Sequence, residues 1–222
     1  MATLRDQYNY GFRDLVQAKL RSYNAYGWSA DYSPEIQVGG ATVRVEPQKI
    51  NQIFVDPVET TTARISVYWD SFVDPEDFGD SEVTSYNLQW DQNTSGSMWY
   101  DLIGNPVESL ETSFTVSTFV ESGKFYQFRA RASNIYGFGE FSGEFSFKAA
   151  QEPQQLATAA ITSQNQATQV LIQWEYPDDS SDPVTAFKVE IRTSDRVTFL
   201  TTSECDGAEP TIAANRQCLI EL

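Results

Sequence analysis

Histidine is absent from the 222 residues, and cysteine occurs only at Cys205 and Cys218. Without histidine the chain loses the commonest general base, the Ser-His and Cys-His nucleophile pairs and the commonest metal ligand. Carboxylates remain, but no pair of them stands out from the general acidity, so no enzymatic activity and no cofactor are expected. Basic residues are scarce as well: 15 Lys and Arg face 31 Asp and Glu, a formal net charge of -16. Such a surface repels phosphate backbones, which removes nucleic acid from the expected partners. No apolar run reaches the roughly eighteen residues of a membrane-spanning helix. Residues 1–6, Met-Ala-Thr-Leu-Arg-Asp, lack the apolar stretch of a signal peptide. Two acidic loops, one with Asp70, Asp74, Glu76, Asp77, Asp80 and Glu82 and one with Asp178, Asp179 and Asp182, do not follow the EF-hand pattern and read as solvated turns.

What is present is aromatic and β-branched. Phe, Trp and Tyr make up 14% of the chain, spread through short runs punctuated by Gly, Pro, Asn and Asp, the texture of an all-β protein. Ile65, Val67 and Trp69 alternate with polar neighbours, as do Tyr86, Leu88 and Trp90. In the run from 120 to 132, Tyr126, Phe128, Ala130 and Ala132 share one face and Gln127, Arg129 and Arg131 the other. With further short runs at 50–58, 98–103, 113–117 and 143–148, residues 46–151 are predicted to hold about seven strands at the spacing of an antiparallel Greek-key β-sandwich.

The same residues carry a family resemblance. Trp69, the Gly123 to Tyr126 spacing, and Tyr-x-Phe-x-Ala-x-Ala-x-Asn followed by Gly137 and Ser142 resemble fibronectin type III domains, which are immunoglobulin-like sandwiches. The resemblance implies that Tyr126 is the corner tyrosine whose hydroxyl bonds back to the preceding loop. It carries over no Arg-Gly-Asp adhesion tripeptide, because the chain has none.

After the linker 151–155 the pattern begins again. Val170, Ile172 and Trp174 repeat Ile65, Val67 and Trp69, and Val184-Thr185-Ala186-Phe187 repeats Val83-Thr84-Ser85-Tyr86. Residues 152–222 thus read as the first part of a second sandwich, ending in a strand that contains Cys218 and Ile220. Its last strands are expected at the other end of the chain. Residues 20–28 align without a gap on residues 130–138, and Val16, Ala18, Leu20 and Ser22 fall in the slots of Tyr126, Phe128, Ala130 and Ala132. Gln37 to Val45 supplies a closing strand. Residues 1–45 are therefore read as the C-terminal part of a sandwich, completed against residues 152–222 of a neighbouring unit. The neighbour is either the next repeat of a covalent array or a second chain reached by strand donation. Left unpartnered, Trp174 is expected to leave roughly 150 to 250 Å² in water, or ~4 to 6 kcal/mol.

Trp69, Trp90, Tyr126, Phe128, Trp174, Phe187 and Leu20 are the expected core residues, and Val16, Ala18, Leu20, Ser22, Cys218 and Ile220 the expected assembly residues. The two cysteines are expected to form a disulfide, which points to an oxidising compartment. Asn93-Thr94-Ser95 is an N-glycosylation sequon in a predicted turn, so a glycan is an expected adduct. The two-domain alternation, with Cys205-Asp206-Gly207, is also similar to large repeat-bearing surface proteins of single-celled eukaryotes, and implies tandem arrays outside the cell. The expectation is a non-enzymatic, extracellular or cell-surface protein that forms a filament or fibril with copies of itself. The alternative is a ligand-binding or adhesive stretch of a receptor ectodomain.

Overall fold

The computed structural model describes residues 7–35, 39–165 and 168–221. The expectations for residues 1–6, for Gln37 and Val38 of the closing strand, and for Leu222 lie outside the described residues. The strands in chain order are β1 (Tyr23–Asn24), β2 (Gly27–Trp28), β3 (Phe54–Val55), β4 (Ile65–Tyr68), β5 (Ser85–Trp90), β6 (Tyr100–Ile103), β7 (Ser113–Val116), β8 (Phe125–Asn134), β9 (Gly137–Phe138), β10 (Phe145–Lys148), β11 (Ile161–Asn165), β12 (Gln169–Gln173), β13 (Ile191–Arg192), β14 (Phe199–Leu200) and β15 (Gln217–Glu221). A 3-10 turn at Ser203–Cys205 and a short α-helix, α1 (Pro210–Asn215), lie between β14 and β15. The Glu209 carboxylate caps it by accepting from the amides of Thr211 and Ile212, and Arg216 ends it in the left-handed region at φ 55°.

The central domain is an all-β, fibronectin type III-like sandwich. One sheet runs β3-β4-β7 and the other β10-β8-β5-β6, with β9 folding back on β8. β5 and β8 form because their alternation matches a central, two-neighbour position: Tyr86, Leu88, Trp90, Phe128, Ala130 and Ala132 are all buried. Their antiparallel register places Tyr86 opposite Ala132, Leu88 opposite Ala130 and Trp90 opposite Phe128. Large residues thus face small ones, except at the end where two aromatics tilt together 6.2 Å apart. Trp69, just past β4, meets Tyr86 edge-on at 6.2 Å. The corner tyrosine is in place: the Tyr126 hydroxyl accepts from the Glu121 amide at 2.7 Å and donates to the Phe119 carbonyl at 3.1 Å.

By compactness the chain falls into two units, residues 1–54 with 67–114 and 127–146, and residues 55–66 with 115–126 and 147–222. The first unit contains the N-terminal segment. There, among the described residues, the expected closing strand forms the isolated bridge Leu15 to Thr42 with flanking backbone bonds in place of a named strand. The second unit contains the sheet β11-β12-β15 and the separate hairpin β13-β14. Its core is small, built from Ile172, Trp174, Cys205 and Cys218, with Phe187, Val189, Ile191 and Ile212 packed against it. Trp174 is only 9% exposed, which corrects the expectation that it would stand in water. Phe187 meets it edge-on at 5.4 Å, and the loop carrying Cys205 helps to enclose the same cluster.

Candidate functional site

Three features emerge when the N-terminal and C-terminal segments are compared with the central domain, and each rests on backbone geometry. The first is a β-arch. In the central domain the Gly123 amide donates to the Ala149 carbonyl, the Ala149 amide to Lys124, and the Gly139 amide to Ala132. The Ser142 side chain accepts from the Ala130 amide at 3.0 Å while its own amide donates to the Ala130 carbonyl. The N-terminal segment repeats all of this. Arg13 donates to Val43, Val43 to Asp14, and Ser29 to Ser22. Ser33 Oγ accepts from the Leu20 amide at 3.1 Å, and the Ser33 amide donates to the Leu20 carbonyl. The turns match too. Asn24 Oδ1 accepts from the Tyr26 amide as Asn134 Oδ1 accepts from Tyr136, and Gly27 and Gly137 have φ of 126° and 129°. Even the left-handed residue before the arch is kept, with Arg13 at 64° where the central domain has Gly123 at 75°.

The outer faces of the two arches are dressed in the same way. Arg131 lies over the rings of Phe138 and Phe141 at 4.1 and 4.2 Å, and Arg129 over those of Trp99 and Phe141 at 4.0 and 4.2 Å. In the N-terminal arch Arg21 lies over Trp28 and Tyr32 at 5.8 and 5.2 Å, and Lys19 over Tyr32 at 5.1 Å. These contacts join strand to strand without needing a core beneath them. The inner faces differ sharply. Ala130 is fully buried, whereas Leu20, in the same slot, is 69% exposed. Leu20 is thus not a core residue within this chain, and Ala18 and Ser22 beside it are exposed as well. Val16 is half-buried and its amide donates to Ala41.

The second feature is a joint that occurs twice. Where the N-terminal arch runs into the central domain, the Val45 amide donates to the Gly79 carbonyl and the Gln48 amide to Asp77. Where the central arch runs into residues 152–222, the Gln151 amide donates to Ser180 and the Gln154 amide to Asp178. The accepting loops share a conformation, with two successive left-handed residues: Gly79 and Asp80 at 69° and 55°, Ser180 and Ser181 at 51° and 71°. Side chains add different bonds at the two joints. At the first, Arg13 pairs with both Asp80, at 2.7 Å, and Glu76. The guanidinium hydrogen bond holds the Asp80 carboxyl below the usual carboxylate range. At the second, Lys148 pairs with Asp182 at 2.8 Å and Ser122 bonds Ser181. The acidic loops of the sequence are these joint loops. Asp178 and Asp179 accept from the amides of Ser180 and Ser181, and among the described residues no group of metal-type ligands converges.

The third feature is an open strand. Residues 184–191 repeat residues 83–90, yet only Ile191–Arg192 is paired as strand, with Phe199–Leu200. Phe187, Val189 and Ile191 are nevertheless half-buried in alternation with exposed Lys188 and Glu190. The Phe187 amide donates to the Gly207 carbonyl, as the Tyr86 amide donates to Ser109. That side of the strand is therefore occupied. On the opposite side, where β5 meets β8, the amides of Ala186, Lys188 and Glu190 have no partner among the described residues.

Cys205 and Cys218 are joined in a disulfide that lies within the small core, 1% and 4% exposed. It ties the loop after β14 to β15, whose Ile220 lies opposite Val170 of β12. Asn93 sits exposed at a turn with φ 62°. The turn is held by the buried Asp91 carboxylate, which accepts from the amides of Asn93, Gly96 and Gln127. Sequence reading missed the joints. Their legible trace is that Glu46-Pro47-Gln48 recurs as Glu152-Pro153-Gln154, and that Asp77 and Asp178 are the same residue type.

The strand order and the tyrosine corner together define an antiparallel β-sandwich, the fold that the resemblance to fibronectin type III domains implies. No protein-family model matches the chain. Among solved structures it is similar to domains A168-A170 from titin, at 20% identity over 61% of this chain and 41% of that one, with a TM-score of 0.41. It is also similar to the FN1-FN3 domains of chicken CNTN1, at 13% identity over 72% of this chain and 53% of that one, with a TM-score of 0.40. A structure titled as a myokine matches at 17% identity over 47% of this chain and 98% of that one, with a TM-score of 0.37. The chain spans about half or less of the titin and CNTN1 segments it matches.

Proposed function

We propose that this protein is a non-enzymatic, extracellular structural protein, the unit of a filament built head to tail from fibronectin type III-like sandwiches and copies of itself. The observation that carries the reading is the joint made twice with the same backbone bonds, Val45 to Gly79 and Gln48 to Asp77, then Gln151 to Ser180 and Gln154 to Asp178. A flexible linker has no reason to repeat its hydrogen bonds. The same chain entry recurring at successive sandwiches suits a head-to-tail array of like domains, and a head-to-tail contact that does not close on itself generates a fibre. The net charge of -16 keeps such a fibre from bundling non-specifically, and the buried disulfide suits an oxidising, extracellular compartment. A glycan on exposed Asn93 has room in this reading.

Electron microscopy of the native material, with the purified chain concentrated alongside, tests it. Filaments whose axial repeat equals two sandwich domains support the proposal. Monodisperse, separate particles at all concentrations overturn it and favour an adhesive ectodomain.

A further inference from the structure

The unpaired amides of Ala186, Lys188 and Glu190 and the exposed inner face of the N-terminal arch are complementary in a way that fixes a register. In the central domain the arch of residues 121–149 lies against β5, with Ser85 opposite Ser133, Asn87 opposite Arg131, Leu88 opposite Ala130 and Gln89 opposite Arg129. The N-terminal arch reproduces the backbone bonds at that arch's start, at its serine and at its turn. On the strand's other side Phe187, in the place of Tyr86, makes the corresponding bond, to Gly207 as Tyr86 does to Ser109. The aromatic pairs agree as well: Trp174 on Phe187 and Trp69 on Tyr86 have interplanar angles of 63° and 62°.

We propose that residues 15–24 of a second copy of this chain dock as an antiparallel strand on residues 186–192, with Leu20 opposite Val189, Lys19 opposite Glu190 and Ala18 opposite Ile191. This rests on the filament reading and names its contact. The side chains fit the register. The central pair of large Leu88 against small Ala130 becomes Val189 against Leu20, so the bulk moves across the seam while the space between the strands stays filled. Leu20 then covers Phe187 and Val189, which are half-buried now. On the outer face Lys19 meets Glu190, which already pairs with Lys188 at 2.7 Å. Glu190 thus lies between two lysines and offsets the approach of Arg21 to Lys188. A shift by one residue would turn Leu20 outward and put Lys19 and Arg21 against the core.

The donor arrives already shaped. Its turn, its Ser33 bonds and its Arg21 and Lys19 stacking are made within residues 11–43, so docking orders little more than side chains.

Full-length chains carrying Lys19→Cys and Glu190→Cys separately are mixed and oxidised, with Lys188→Cys and Arg192→Cys chains as register controls. All four positions are exposed, and circular dichroism of each variant checks that it folds as the unmodified chain does. Directly opposite residues sit about 5.5 Å apart at Cα, inside the disulfide window, whereas diagonal ones do not. The expected result is a two-chain species on non-reducing gels from Lys19→Cys with Glu190→Cys. Its yield should be about tenfold above either control pair and above each chain oxidised alone. Preferential linkage to position 188 or 192 overturns the register. Filaments by microscopy with no linkage at any of the three positions overturn the docking proposal and leave the filament reading standing. An unmodified chain that sediments as a monomer at all concentrations overturns both.

Discussion

Replacing both cysteines, Cys205→Ala with Cys218→Ala, should unfold residues 152–222 selectively. Among the described residues, four buried ones form the centre of that core, and two of them are the cystine. The bridge spans a sequence separation of 13, and closing a loop of that size removes about 3 kcal/mol of chain entropy from the unfolded state. Two lost sulfur atoms in a buried site act in the same direction. At 1.4 kcal/mol per tenfold, 3 kcal/mol lowers amide protection about a hundredfold. For a segment of this size it lowers the melting temperature by about 12 to 24 °C. Hydrogen exchange read by mass spectrometry separates the two halves. Peptides from β12 and β15 should lose protection about a hundredfold, while those from β5 and β8 keep theirs. Unchanged protection in β12 would refute the reasoning, because it would mean that the sheet β11-β12-β15 holds Trp174 without the cystine.

Tyr126→Phe removes a hydroxyl that satisfies both the Glu121 amide and the Phe119 carbonyl. The cost should be about 1 to 3 kcal/mol, seen as earlier urea unfolding of the central domain, with the hairpin β13-β14 unaffected. Gly79→Ala places a Cβ 2.1 Å from the Val45 carbonyl oxygen at a φ of 69°, so the first joint must open. Small-angle scattering should then report a broader range of shapes, whereas Gly11→Ala, whose nearest atom is the flexible Asp14 carboxylate at 3.3 Å, should change nothing. Acid should loosen the same joint. Arg13 lowers the Asp80 pKa in the folded chain, so this pairing adds stability above the ordinary Asp value and loses it as pH falls through the depressed one. NMR of the Arg13 side chain should show the pairing intact at pH 5 and lost only below about pH 4. Loss at neutral pH would refute it.

How far the sequence spoke depended on whether a feature was written in side chains or in backbone. The alternation of Ile65, Val67 and Trp69 and of Tyr86, Leu88 and Trp90 located two central strands, because burying one face demands apolar residues at a period of two. The gapless match of residues 20–28 to 130–138 located a second arch, since its Asn and Gly residues are required by the turn. The joints stayed hidden because amide-to-carbonyl bonds tolerate almost any side chain, as Val45 against Gln151 and Gly79 against Ser180 show. Arg13 obscured the arch's start by standing at a left-handed position where the central domain uses Gly123. Trp174 misled for another reason: sequence gives the direction of a side chain but not the nearby loop that covers it, here the one fastened by Cys205.

The ladder of Arg21 and Lys19 on Trp28 and Tyr32 also bears on time. It is closed by contacts between residues near in sequence, such as Leu20 to Ser33, thirteen apart, so the arch can fold on the fast timescale of local structure. Residues 152–222, whose strands β12 and β15 pair across a much longer stretch of chain, fold more slowly. In the filament proposed above, assembly is then paced by how quickly a folded arch meets residues 152–222 of a second copy. Growth should accelerate in proportion to concentration, as a collision does, instead of levelling off at the rate of a folding step.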